Sequence, residues 1–185
     1  GAAPAAGHGA VVAATTTGEI GAFRAANGRI TWDDALTAVR RLGVAQAIPA
    51  VRASPVIADG EVIAIGAAGL AAGIDFATGS RIWDRAIGGN ETPAVAGAFL
   101  YMITDQPNLA ALRRSDGAIA WTIDLNAAAG DIDPDKLRPE IYSGPVAAGG
   151  HLIVTRGKGE ALFFRAEDGA LAHRIRLPGN TSLPV

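Results

Sequence analysis

The chain has 185 residues, of which 49% are hydrophobic and only 5% aromatic, with 24 Gly and 10 Pro, enough for one domain of many short strands and tight turns rather than a helical bundle. The lack of Cys excludes a disulfide framework or a thiolate metal site. A formal charge of -2 with no basic block argues against nucleic acid, whose binding rests on neutralised phosphates, and no apolar run reaches the ~20 residues of a membrane-spanning helix.

Residues 1–10 are small and uncharged apart from His8, without the charged and apolar regions of a signal peptide. The expectation is a protein that is not exported or one whose targeting segment lies upstream. The first unit then carries FRAANGRITW (23–32). Its Asn27-Gly28 predicts a two-residue hairpin turn with positive φ at both residues, and Trp32 falls on the outgoing strand. In the connector 37–53, TAVRRLG (37–43) predicts one or two helical turns stopped at Gly43. Arg40 and Arg41 then stand beside Val39 and Leu42, a mixed surface that suits a protein interface or, equally, a solvated connector.

Next comes SPVIADG (54–60), a short inner strand opened by Pro55 and closed by a turn, followed by an apolar strand at 62–65. IDFATGSRIW (74–83) repeats the turn and ring, with Thr78-Gly79 and Trp83. TPAVAG (92–97), FLYMI (99–103) and LRRSDGAIAW (112–121) repeat the order again, ending at Trp121. The second connector, 126–142, places Asp131, Asp133 and Asp135 at alternate positions like the opening of a calcium loop. Lys136 and Tyr142 stand where that loop needs Gly and Glu, so Asp133 reads as the cap of a helical turn started by Pro134. GPVAAG (144–149), an apolar strand at 152–154 and FRAEDGALAH (164–173) make the fourth unit, with His173 as a smaller packing substitute for the ring. LPV (183–185) begins a further copy.

The turn glycines Gly28, Gly79, Gly117 and Gly169 lie 51, 38 and 52 residues apart. A compact unit of about 38 residues with four short strands is a β-propeller blade. The expected fold is all-β: a partial propeller of about four blades at 8–36, 54–87, 92–125 and 143–177, with the start of another at 180–185. The longer intervals put 37–53 and 126–142 on one rim, where propellers place binding surfaces. No catalytic, cofactor or metal residues are expected. His8, His151 and His173 are dispersed, no Ser sits in a nucleophile elbow, and glycines 66, 69 and 73 form no phosphate loop.

These motifs resemble PQQ-type propeller repeats. Within that group, the run from Ile30 to Val185 resembles the C-terminal half of the BamB family of outer-membrane assembly lipoproteins. VRRLG (39–43) ahead of Ser54-Pro55, GGNETP (88–93) and IRLP (175–178) carry the likeness. The resemblance implies eight blades, so the remaining blades belong to the same protein or another chain. It also implies a non-enzymatic scaffold at the periplasmic face of the outer membrane, held by an upstream lipid anchor, with no cofactor and no nucleic-acid partner. Such a scaffold binds the periplasmic POTRA domains of BamA and assists insertion of β-barrel proteins. The candidate partner-binding residues are Arg40, Arg41, Leu42 and Arg52. Two family carboxylates ahead of the Pro marker match Ala50 and Arg52 here, so that specific contact is not transferred. PQQ-dependent alcohol dehydrogenases share the repeat and give the alternative, but they typically need an adjacent Cys pair.

Overall fold

The computed structural model describes residues 2–36, 52–66, 69–130, 140–157 and 159–178. Sixteen strands form four antiparallel four-stranded sheets in simple meander order. The first holds β1 (Ala5–Gly7), β2 (Ala10–Ala14), β3 (Glu19–Arg24) and β4 (Ile30–Ala35). The second holds β5 (Val56–Ala58), β6 (Glu61–Gly66), β7 (Leu70–Asp75) and β8 (Arg81–Arg85). The third holds β9 (Ala94–Ala96), β10 (Phe99–Ile103), β11 (Asn108–Arg113) and β12 (Ile119–Asp124). The fourth holds β13 (Tyr142–Ala148), β14 (His151–Arg156), β15 (Glu160–Arg165) and β16 (Leu171–Arg176). This is the all-β propeller architecture that the repeat predicts. Strand β1 starts ahead of the expected residue 8, because Ala3-Pro4 is a further copy of the Pro marker. Strand β13 is longer than a three-residue inner strand, taking in Pro145 with a shift of register between Ser143 and Val146.

Strand alternation explains the core. On β6, Val62 and Ala64 face the first sheet while Ile63 and Ile65 face the third. On β10, Leu100 and Met102 face the second sheet while Tyr101 and Ile103 face the fourth. Side chains of a strand alternate between faces, so a middle sheet needs apolar residues at every position. Strand β6 is accordingly buried along its whole length. Each adjoining pair of sheets thus closes over its own core. The inner strands β1, β5, β9 and β13 lie next to one another in that order.

The turns between third and fourth strands differ from the expected two-residue type. Only His8 and Asp59 have positive φ among the described non-glycine residues, so Asn27, Asp116 and Asp168 do not. Each loop has four residues instead. The glycine N–H donates to the carbonyl four residues back, as in Gly28 to Arg24 at 2.8 Å and Gly117 to Arg113 at 2.8 Å. The residue before the glycine contributes a side-chain oxygen, not a left-handed backbone. Asn27 Oδ1 accepts from Arg29 N, Asp116 Oδ1 from Ala118 N, Asp168 Oδ1 from Ala170 N and Thr78 Oγ1 from Ser80 N. That local bond is why Asn, Asp or Thr stands there. True two-residue turns occur between first and second strands, where His8 and Asp59 have φ of 49° and 48° ahead of Gly9 and Gly60.

Past each four-residue turn the fourth strand bulges by one residue, between Ala22 and Phe23 and at the matching places in the other sheets. A bulge re-aims the next side chain, and here it delivers the ring. Trp32 lies against Gly79 of the next sheet, where an added Cβ would come within 2.6 Å of it. Trp83 lies against Gly117 and Trp121 against Gly169 in the same way, with contacts of 2.4 and 2.8 Å. Trp32 and Trp83 also donate Nε1–H to the next sheet's backbone, at Phe76 O (2.8 Å) and Arg114 O (2.5 Å). His173, expected to pack, is exposed instead; its ring neighbour is His151 at 6.1 Å. The described residues place no sheet beyond β16 for it to pack on.

Trp83→Ala should cost about 3–5 kcal/mol, a fall in Tm on the order of 10 °C. Gly117→Ala should cost a similar amount, whereas Gly28→Ala, with nothing within 4 Å, should cost only about 1–2 kcal/mol for its left-handed backbone. Urea unfolding of the three variants checks this order. The turn carboxylates give a second expectation. The Thr78 hydroxyl holds Asp75 below the usual carboxylate range, the Ala118 N–H and Arg113 do so for Asp116, and Arg165 for Asp168. A depressed folded-state pKa contributes stability above the ordinary value of 3.8, lost as pH falls through the lower one. NMR titration of these carboxyl carbons should give midpoints below 3.8.

Candidate interaction surface

Two rims result from the meander. One carries the turns between first and second and between third and fourth strands. The other carries the remaining turns and the connectors between sheets. Of the residues singled out for partner binding, Arg40, Arg41 and Leu42 lie outside the described residues, as do Asp131, Asp133 and Asp135. Arg52 is described and exposed.

The ends of the first connector are firmly held. Leu36 is fully buried between the first and second sheets, and its N–H donates to Gly18 O at 2.7 Å. Ala53 is buried between the second and third sheets. Beside it, Ser54 Oγ accepts from Ala3 N (3.0 Å), while Ser54 N donates to Thr92 Oγ1 (3.1 Å). The hydroxyl residue ahead of each Pro thus ties one inner strand to the next. Gly144 lacks a hydroxyl, and its N–H bonds Glu91 Oε2 instead at 3.3 Å. Arg52 therefore projects from an anchored position, one residue outside the core.

The second connector opens with a helical turn, α1 (Leu125–Ala128), while the turn expected at Asp133 lies outside the described residues. Asp124 caps it, accepting from Asn126 N (2.8 Å) and Ala127 N (3.1 Å). The connector's far end is fixed by Tyr142, whose hydroxyl donates to Asn126 Oδ1 at 2.9 Å. Arg156, buried beneath, pairs with Glu140 (3.5 Å) and Glu160 (3.2 Å) and bonds Ala129 O. Next to this pair Ile141 is 70% exposed, the most exposed large aliphatic among the described residues. Exposed arginine and exposed aliphatic side chains on one rim suit a protein contact. Among the described residues no group of three or more His, Asp or Glu could hold a metal ion.

The opposite rim holds a charged staple that the sequence reading missed. Arg114 donates Nε–H to Glu61 Oε2 (3.0 Å), Nη1–H to Asp59 Oδ2 (2.9 Å) and Gly97 O (2.9 Å), and Nη2–H to Ala58 O (2.8 Å). Glu61 also accepts from Trp83 Nε1 at 3.1 Å. Burial works to lower the Arg114 pKa, but the bonds to Asp59 and Glu61 outweigh it and hold it raised. Gly73 makes the space, since a Cβ there would sit 2.3 Å from both the Glu61 carboxylate and the Trp83 indole nitrogen. The available signal was the Asp59-Gly60-Glu61 run next to the arginine pair at 113–114. Removing one partner of a buried pair strands the other charge. Arg114→Met should therefore cost about 3 kcal/mol, and Arg114→Met with Glu61→Leu should recover part of it. A double-mutant cycle in urea measures this.

Comparison with known proteins adds to this geometry. A family model described as "Outer membrane protein assembly factor BamB" matches residues 1–123. The outer membrane protein assembly factor BamB of Alkalilimnicola ehrlichii is 25% identical over 166 residues, 90% of this chain and 40% of that protein. The chain thus spans about 40% of that curated relative's length. The crystal structure of BamB from Moraxella catarrhalis superposes with a TM-score of 0.76 at 17% identity, over 96% of this chain and 49% of that one. Quinohemoprotein alcohol dehydrogenase from Comamonas testosteroni superposes at 0.71 with 12% identity, over 97% of this chain and 35% of that one. At such identities the structural likenesses show the fold alone.

Proposed function

Because the chain belongs to the family described as outer membrane protein assembly factor BamB, we propose that it is part of a protein-interaction scaffold serving outer-membrane protein assembly. In this reading the complete protein works at the periplasmic face of the outer membrane without catalysing a reaction. It binds the periplasmic POTRA domains of BamA and assists insertion of β-barrel proteins. The family match over residues 1–123 carries the reading. The anchored connectors support it by presenting Arg52 and Ile141 on one rim. The connector residues Arg40, Arg41 and Leu42 join Arg52 as the proposed contact.

Further blades, from the same protein or another chain, are part of the proposal. The turn glycine of the first sheet, Gly28, has no ring over it, while Gly79, Gly117 and Gly169 each have one. Strand β16 is exposed along its whole length, whereas the matching ring of β8 is buried. Both open faces fit another copy of the same joint.

The test is a pull-down of the full-length protein with a BamA periplasmic fragment. The wild-type protein should be retained. Arg40→Glu combined with Arg41→Glu should weaken retention, and Arg52→Glu should do so independently. Failure of the wild-type full-length protein to bind would refute the reading.

A further inference from the structure

We propose that a socket between the first and second sheets, on the turn rim, binds a small oxyanion, a phosphate or carboxylate group held by Arg24 and His8. The proposal comes from comparing two junctions built on one plan. At the junction of the second and third sheets, Asp59 and Glu61 form an anionic receptor and Arg114 fills it. At the junction of the first and second sheets the matching positions hold His8, Ala10 and Phe76. No arginine enters there, and the Phe76 ring stands edge-on to His8 with centroids 5.5 Å apart. What remains is a pocket of about 170 Å³ lined by His8, Ala10, Arg24, Thr31 and Phe76. That is well above the ~10–15 Å³ that holds one water on this measure.

The charge of this receptor is inverted. Arg24 matches Arg113 and Arg165, which are each clamped by an aspartate three residues on, Asp116 at 2.8 Å and Asp168. In the first sheet that aspartate is Asn27, whose Oδ1 already accepts from Arg29 N at 3.2 Å. Arg24 makes no ion pair or side-chain hydrogen bond among the described residues, so its planar fork is free to take two oxygens of one group. His8 occupies the left-handed position that Asp59 occupies in the second sheet, and there the side chain does the electrostatic work on Arg114. The Thr31 hydroxyl is committed to Ala22 O at 3.0 Å, leaving guanidinium and imidazole as the donors. Where the neighbouring junction has an anionic receptor with a cationic plug, this one offers the Arg24 guanidinium and the His8 imidazole, donors that suit an anion from outside. The socket opens away from the connectors, so it does not rest on the scaffold reading.

Amide NMR titration of the chain with orthophosphate, and separately with acetate, in a phosphate-free low-salt buffer tests this. Saturable shifts should centre on residues 8–10, 24–31 and 76–77, with orthophosphate binding more tightly than acetate. Arg24→Gln should weaken binding by roughly tenfold or more, the loss of a charge-assisted bidentate contact. His8→Ala should weaken it less, and Arg113→Gln should leave it unchanged. Saturation by acetate alone would keep the site and assign its occupant as a carboxylate. No saturable shift with either anion, or equal binding by Arg24→Gln, would overturn the proposal. The same spectra report whether each variant is folded.

Discussion

Everything in this fold depends on a tryptophan side chain lying against the turn glycine of the next sheet. A lone four-stranded meander with short inner strands cannot bury enough surface to stand by itself. The ring solves this by reaching across. Trp32, Trp83 and Trp121 each leave their own sheet through a bulge and cover Gly79, Gly117 or Gly169. The glycine serves twice. It takes the positive φ that closes the four-residue turn, and its missing Cβ lets the ring approach. At Gly28, which has no ring over it, the first requirement acts alone.

A joint that is identical at every junction cannot tell one neighbour from another. The polar contacts around it can. Between the first and second sheets, Arg81 grips Asp34 with two bonds (2.7 and 3.1 Å) and reaches Ala35 O. The Asp34 bond is the main reason its pKa is raised. Between the second and third, Arg114 and Arg85 act together, the latter on Gly117 O and Asp116 O. Between the third and fourth, Arg174 reaches Ala128 O at 3.3 Å. Differences of this kind discriminate partners more than they add affinity.

The repeat was legible because its period is set by obligatory chemistry. The turn glycine, the aliphatic second and third strands and the ring recur at fixed spacing whatever surrounds them. The turn type was not legible, because an Asn-Gly or Asp-Gly pair fits both a two-residue turn and the end of a four-residue one. Only the register between Arg24 and Arg29 decides it, through the 2.9 Å bond of Arg24 N to Arg29 O. The Arg114 staple was hidden for another reason. It joins residues 53 to 55 positions apart that do not recur in the other sheets, so no periodic signal reveals them. Ala3-Pro4 escaped notice because its neighbour Ala carries no hydroxyl, although its N–H takes the place in the bond to Ser54 that Ser54 takes in the bond to Thr92. Of the proposed partner contact, Arg52 is exposed next to the buried Ala53, while Arg40, Arg41 and Leu42 lie outside the described residues.

The two rims differ in how much freedom folding leaves them. On the turn rim nearly every residue is spoken for: glycine for φ, Asn, Asp or Thr for the turn bond, arginine for an ion pair. On the other rim, the described ends of the connectors are held as well. The short link between the second and third sheets shows this. There Gly88 and Gly89 are required, since a Cβ would sit 2.4 Å from Asp105 Oδ2 or from Ile103 O. The first long connector is clamped by Leu36 and Ala53, and the second by Leu125, Ala129 and Tyr142, all of them buried. Segments tied at both ends to a rigid frame are where a scaffold can vary its recognition at least cost in stability. A charge change at the exposed Arg52, next to the buried Ala53, would therefore test the proposed contact without altering the fold.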